Sequence, residues 1–170
     1  RCWKKVLSQK LQTWRTIDVI ASLLPYDIDA LAKRVVEENT KAGLKIALAE
    51  SCTGGLVAAA LTEIPGSSAV LDRGFVTYSN SAKMESLDVA SDIIETFGAV
   101  SIACVWAMAQ GALQNSDADV AVAISGVAGP GGGTDLKPVD AWCRAIEDGT
   151  PPVGEAETLS KRQRAAEALW

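Results

Sequence analysis

The sequence predicts an α/β protein, an α/β sandwich around a largely parallel sheet. Three observations carry this. Amphipathic helical stripes alternate with short strand-like segments, at least one strand is almost continuously apolar, as strands covered on both faces are, and glycine-rich turns follow two of the strands. A chain of 170 residues is enough for one core that removes roughly 70% of the unfolded surface from water. Residues 25–170 are therefore expected to form a single domain, with 1–24 as a basic N-terminal extension. That extension carries Arg1, Lys4, Lys5, Lys10 and Arg15 against Asp18, while the whole chain has a net charge of −5. Its bland reading is a solvated arm; the alternative is a docking element for an acidic partner.

The elements follow in order. Ile28, Leu31, Ala32, Val35 and Val36 recur at helical spacing, with Asp27 and Asp29 in the first turn and Gly43 beyond the end, which predicts a helix over 27–42. Lys45–Ala49 reads as a short strand. Ser51-Cys52-Thr53-Gly54-Gly55 is a turn that opens a helix through Leu56–Ile64. Pro65-Gly66-Ser67-Ser68 stops that helix, and Ala69–Tyr78 resumes as a second strand. Helices are expected at 81–87, 91–97 and 101–115, the last from the Val105, Met108, Ala109, Ala112 and Leu113 face. Ala118–Ser125 is a strand buried on both faces. Gly126–Pro138 holds five glycines and two prolines in thirteen residues and is expected to be irregular.

Composition narrows the chemistry. The chain has no histidine, so Ser-His-Asp and Cys-His mechanisms and histidine metal sites do not arise within one chain. The acidic balance argues against nucleic acid as a partner. No apolar run approaches the ~20 residues of a membrane span, and no signal peptide is visible, so a cytoplasmic protein is expected. Cys2, Cys52, Cys104 and Cys143 are too widely spaced for a zinc site and too few for a disulfide scaffold, which leaves free thiols as the default.

Both glycine turns follow strands, where α/β sheets bind ligands and where glycine lets N–H groups approach a phosphate or an oxyanion. Neither is a nucleotide fingerprint. Ser51 lies between a strand end and a helix start, as a nucleophile would, and without histidine its base must be another group. A desolvated lysine can serve, and Lys83 is best placed. Tyr78 is a candidate to share the proton and Asn80 to orient a substrate amide or carboxylate. The rival nucleophile is Cys52; the bland reading of Lys83 is an exposed lysine at a helix start.

Ala49-Glu50-Ser51-Cys52-Thr53-Gly54-Gly55, Gly66-Ser67-Ser68, Arg73-Gly74-Phe75-Val76-Thr77-Tyr78-Ser79-Asn80 with Lys83, Phe97-Gly98-Ala99-Val100-Ser101, and Ser125-Gly126-Val127-Ala128-Gly129-Pro130-Gly131-Gly132 through Lys137-Pro138-Val139 together resemble the CinA C-terminal domain family. The resemblance covers about residues 26–139. It implies a three-layer α/β/α sandwich with a mixed, mostly parallel sheet, and a nicotinamide-nucleotide amidohydrolase that turns nicotinamide mononucleotide into nicotinate mononucleotide and ammonia, with no metal or other cofactor. It further implies Ser51, Lys83 and Tyr78 as the catalytic group, and substrate binding by Glu50, Thr53, Gly54, Gly55, Asn80, Ser125, Gly126 and Gly129. In this reading N–H groups near Thr53–Gly55 steady the oxyanion, and the second glycine loop with Ser125 holds ribose or phosphate. Residues 140–170 depart from the family pattern and leave an edge strand and a phosphate-binding arginine unaccounted for, with Arg144 and Arg162 as possible stand-ins. A homo-oligomer is expected, because small α/β domains cover an exposed edge or apolar patch by self-association. The alternative function is a non-catalytic nucleotide-binding module of the same fold.

Overall fold

A computed structural model of the chain describes residues 24–127 and 142–147. Expectations for residues 1–23, 128–141 and 148–170 lie outside them, including the arm, Gly129 and Arg162. The elements run α1 (Tyr26–Ala42), β1 (Ile46–Glu50), α2 (Leu56–Thr62), a 3₁₀ turn (Ser67–Ala69), β2 (Leu71–Val76), α3 (Asn80–Leu87), α4 (Ser91–Phe97), α5 (Ile102–Gln114), β3 (Val120–Gly126) and β4 (Trp142–Glu147). The sheet order is β2-β1-β3-β4. β1 pairs in parallel with β2 and β3, and β4 runs antiparallel to β3. The mixed, mostly parallel sheet expected from the sequence is the one observed.

Strand periodicity sorts the core into two layers. Ile46 and Leu48 of β1, with Val122 and Ile124 of β3, face Ala32, Val35 and Val36 of α1 and Ala60 and Leu61 of α2. The alternate positions, Ala47, Ala49, Ala121 and Ala123, face Val105, Met108, Ala109 and Ala112 of α5. Alanine on that face leaves room for α5 to lie close over the centre of the sheet. Leu87 of α3 and Ile94 of α4 join the same cluster. Among the described residues no helix is long and apolar enough to cross a membrane.

Three local expectations are corrected. The second strand begins at Leu71, not Ala69, because Ser67–Ala69 first closes a 3₁₀ turn in which Val70 N–H donates to Ser67 O. Gly126 is the last residue of β3, not the first of an irregular loop, because the returning strand pairs it with Trp142. The edge strand that the sequence left unaccounted for is β4, whose Ile146 packs on the α1–α2 layer.

The tightest helix approach is at Gly111 of α5, where an added Cβ would fall against the main chain of Leu87. Alanine normally gains about 1 kcal/mol over glycine inside a helix. Here the clash dominates, so Gly111→Ala is expected to destabilise the fold by about 1–3 kcal/mol, read from urea unfolding. A neutral or stabilised variant would show that α3 and α5 are not packed this closely.

Candidate functional site

Parallel pairing brings three strand ends to one edge of the sheet. Glu50 of β1 lies level with Val76 of β2 and Ile124 of β3. The next residue on each strand, Ser51, Thr77 and Ser125, therefore stands in one row across the carboxyl ends, where α/β sheets bind ligands. Ser51 N–H donates to Ile124 O at 3.0 Å and Thr77 N–H to Glu50 O at 2.8 Å, which extends the ladder one residue past the strands.

Lys83 reaches this row from α3. Ser79 caps that helix by accepting the Ala82 N–H, and Lys83 and Leu87, one turn apart, are its two buried residues. The Lys83 side chain is 1% exposed. Its Nζ lies 3.0 Å from Ser51 Oγ, 2.8 Å from Thr77 O and 3.1 Å from Tyr78 O. None of the ion pairs among the described residues includes it. Burial pushes its ammonium below the ordinary lysine range, and the neighbouring Cys104 and Cys52 sulfurs oppose that shift only in part. The neutral amine has two N–H bonds and one lone pair. With Thr77 O and Tyr78 O holding the N–H bonds, the lone pair is left to accept the Ser51 hydroxyl proton, which is the arrangement a general base requires.

The turn from Ser51 to Gly55 is held from behind. Glu50, 1% exposed, accepts N–H bonds from Gly55 (3.0 Å), Val57 (3.1 Å) and Ala58 (2.8 Å). The carboxylate expected to bind substrate is thus engaged with the start of α2. Gly54 N–H donates to Ser51 O. Of the N–H groups near Thr53–Gly55 expected to steady an oxyanion, those of both glycines are already paired within the turn. Gly55 has φ +97° and would set a Cβ 3.4 Å from Val76 Cγ2, so the turn requires glycine there.

Other expectations are redistributed. Tyr78 reaches Lys83 through its main-chain carbonyl, while the residue is 74% exposed and its phenol makes no hydrogen bond among the described residues. Ser125 is buried and donates its Oγ hydrogen to Ala99 O at 2.8 Å, which ties the sheet edge to the α4–α5 loop instead of offering a free hydroxyl. Asn80, exposed, is the first residue of α3, and Gly126 ends β3 beside the row. Arg144 lies in β4 level with Ile124. Cys52 is half-buried, and its thiol is raised by burial above its ordinary value, with Lys83 and the adjacent N–H groups opposing, so it holds less thiolate than an exposed cysteine. Sequence reasoning missed Thr77, which contributes a carbonyl and a buried hydroxyl without a partner among the described residues; side-chain chemistry gives no signal for a carbonyl. The buried state of Lys83 did have a signal, its spacing of four from Leu87. A cavity of about 290 Å³ is lined by apolar residues such as Ile28, Leu31, Leu56 and Val57, together with Thr53; it lacks the groups for chemistry.

The Lys83 shift has two consequences that can be read directly. NMR titration of its side chain, assigned with Lys83→Arg, should give a midpoint below the ordinary 10.5. Because the unfolded chain binds that proton more tightly, stability should rise with pH between the folded value and the ordinary one and be flat on either side of that window. A midpoint at or above the ordinary value would mean that the amine is charged under working conditions.

Comparison with known proteins bears on the same residues. The family model described as the CinA C-terminal domain matches residues 28–166, further than the 26–139 of the motifs themselves. A CinA-like protein of Akkermansia muciniphila is 54% identical over 110 residues, covering 65% of this chain and 27% of that protein. A CinA-like protein of Chlorobium luteolum is 47% identical over 155 residues, covering 83% and 36%. The chain thus spans about a quarter to a third of the length of the curated relatives it matches. Among solved structures, a competence/damage inducible protein from Agrobacterium tumefaciens superposes with a TM-score of 0.75 at 47% identity, covering 87% of this chain and 93% of that one.

Proposed function

Since the chain belongs to the CinA C-terminal domain family, we propose that it is an amidohydrolase, converting nicotinamide mononucleotide to nicotinate mononucleotide and ammonia with Ser51 as nucleophile and Lys83 as base. The observation that carries this is the 3.0 Å contact between Ser51 Oγ and a buried Lys83 Nζ whose other neighbours are two carbonyls.

The chemistry follows from that contact. Lys83 takes the hydroxyl proton as Ser51 Oγ attacks the carboxamide carbon, and the C=O becomes a tetrahedral oxyanion. Lys83 then returns the proton to the departing nitrogen, ammonia leaves, and an ester joins Ser51 to the nicotinate mononucleotide moiety. In the second half Lys83, neutral again, takes a proton from water as the water oxygen attacks the ester. The C–O bond to Ser51 breaks, the proton passes to Ser51 Oγ, and the acid product ionises. The positively charged pyridinium ring withdraws electrons from its carboxamide and favours attack. Tyr78 enters through its carbonyl, which helps hold the amine.

The same reading uses no metal or other cofactor and places the protein in the cytoplasm as a homo-oligomer. Self-association is supported by Ile102 and Trp106, exposed one turn apart on α5. Ammonia release from nicotinamide mononucleotide, with chelator present, tests the proposal. Ser51→Ala and Lys83→Ala are each expected to lower kcat by roughly 10³-fold or more. Turnover surviving Ser51→Ala would reject the nucleophile, and a parent that binds the nucleotide without releasing ammonia would favour a binding module.

A further inference from the structure

The helix that carries Lys83 is held at both ends, and the two ends differ. At the start of α3 the Ser79 hydroxyl accepts the Ala82 N–H, a cap that fixes the local backbone and sets no depth. At the far end the helix has no room to settle further. Leu87, one turn beyond Lys83 on the same buried face, presents its main chain to Gly111 of α5, and a Cβ built on Gly111 would lie 2.7 Å from the Leu87 carbonyl carbon and 2.9 Å from its Cα. A side chain could rotate out of the way, whereas main chain cannot, so α3 rests on α5 at a position that only glycine leaves open.

The same end is locked by hydrogen bonds. Asp88 follows Leu87 with φ +54°, a left-handed conformation uncommon outside glycine, and such a conformation persists where the surroundings hold it. Its N–H turns back to Lys83 O, and Val89 N–H reaches the same oxygen at 3.3 Å. Asn115 Nδ2 donates to the Asp88 carboxylate at 3.3 Å. The main chain of Asn115 is itself pinned, its N–H donating to Gly111 O at 3.0 Å and its carbonyl accepting from Arg73 Nη1 at 2.6 Å. Gly111, Asn115, Asp88 and Lys83 thus form one run of contacts that ties the end of α3 to the end of α5 and to β2.

What this run controls is distance. Lys83 and Leu87 are about 6 Å apart along the helix, so a displacement at one is felt at the other. Relieving a Cβ at position 111 requires the Leu87 main chain to retreat by roughly 1 Å, to ordinary carbon contact. The three Nζ contacts, at 2.8, 3.0 and 3.1 Å, already span most of the useful hydrogen-bond range. A shift of that size takes the amine out of reach of at least one of them.

We infer that Gly111 and Asn115 are positioning residues for the base: by setting how closely the end of α3 lies on α5, they set Lys83 Nζ within bonding distance of Ser51 Oγ. This rests on the reading of Ser51 and Lys83 as nucleophile and base.

The test compares the parent with Gly111→Ala and with Asn115→Ala, the latter an exposed position. Ammonia release from nicotinamide mononucleotide and hydrolysis of p-nitrophenyl acetate are followed across pH, circular dichroism gives the folded fraction, and NMR titration gives the midpoint of the Lys83 amine. The ionisable groups acting on that amine are the thiols of Cys104 on α5 and Cys52 after β1, and both variants keep them. Per folded molecule, Gly111→Ala is expected to lose about 10–10²-fold in kcat and Asn115→Ala about threefold or more, each with KM within about threefold of the parent. An amine that leaves its dry seat binds its proton more tightly, so the acid limb of kcat/KM and the NMR midpoint are both expected to move to higher pH. A loss of stability alone moves neither. A folded Gly111→Ala protein with parental kcat, or with lowered kcat but parental limb and midpoint, overturns the inference. Should Gly111→Ala fail to fold, Asn115→Ala decides: a raised limb and midpoint support the inference and parental values overturn it. A parent that hydrolyses the ester but releases no ammonia rejects the nicotinamide nucleotide reading alone, and the ester profiles then decide; a parent inactive on both substrates overturns the hydrolase and this inference together.

Discussion

A lysine amine taken out of water and held against a serine hydroxyl is the constraint on which the rest of this structure depends. Burying an ammonium costs several kcal/mol unless it is paired, and among the described residues no carboxylate is paired with Lys83. The fold meets that cost by shifting the group toward its neutral form and by supplying Thr77 O and Tyr78 O, two carbonyls freed where β2 ends. The proposed base is therefore built from backbone as much as from the lysine. It exists only while β2 stops at Val76, Ser79 caps α3, and Leu87 anchors the far end of that helix in the core.

Ser51, the proposed nucleophile, is placed with the same economy. β1 lies at the centre of the parallel strands, and Ser51 N–H is locked to Ile124 O, so Ser51 continues the sheet for one residue before the chain turns. Behind the turn stands a buried carboxylate, in front of it a buried amine. In the proposed reaction the two serve different ends: Glu50 holds the backbone of the turn and Lys83 handles the proton. Alanines on the α5 side of β1 and β3 let that helix approach, which brings its Cys104 near the lysine.

The larger part of this was legible in the sequence because periodicity reports burial. α1 begins one residue before its predicted start and ends at the predicted residue; the almost continuously apolar 118–125 segment is the buried β3. The absence of histidine narrowed the choice of base for Ser51 to groups that include Lys83, and the fold brings those two side chains together. What was not legible shares one cause: a sequence names side chains, whereas several roles here fall to the backbone or reverse the obvious use of a side chain. Tyr78 was read for its phenol and contributes a carbonyl. Ser125 was read as a free hydroxyl and spends it on Ala99 O. Glu50 was read as facing substrate and faces α2, a choice set by a turn whose geometry depends on Gly54 and Gly55 both at positive φ. The strand Trp142–Glu147 was missed because its pattern differs from the family's, although pairing with β3 requires only a compatible backbone.

The central claim is that Ser51, not the adjacent Cys52, carries the acyl group. The most direct measurement is mass spectrometry of the intact and digested protein after mixing with nicotinamide mononucleotide and acid quenching within a turnover. The account predicts a transient ester of nicotinate mononucleotide on the peptide containing Ser51, located on the serine oxygen and unaffected by Cys52→Ala. An adduct on the Cys52 sulfur, or ammonia released with no covalent intermediate on this peptide at any quench time, would contradict it.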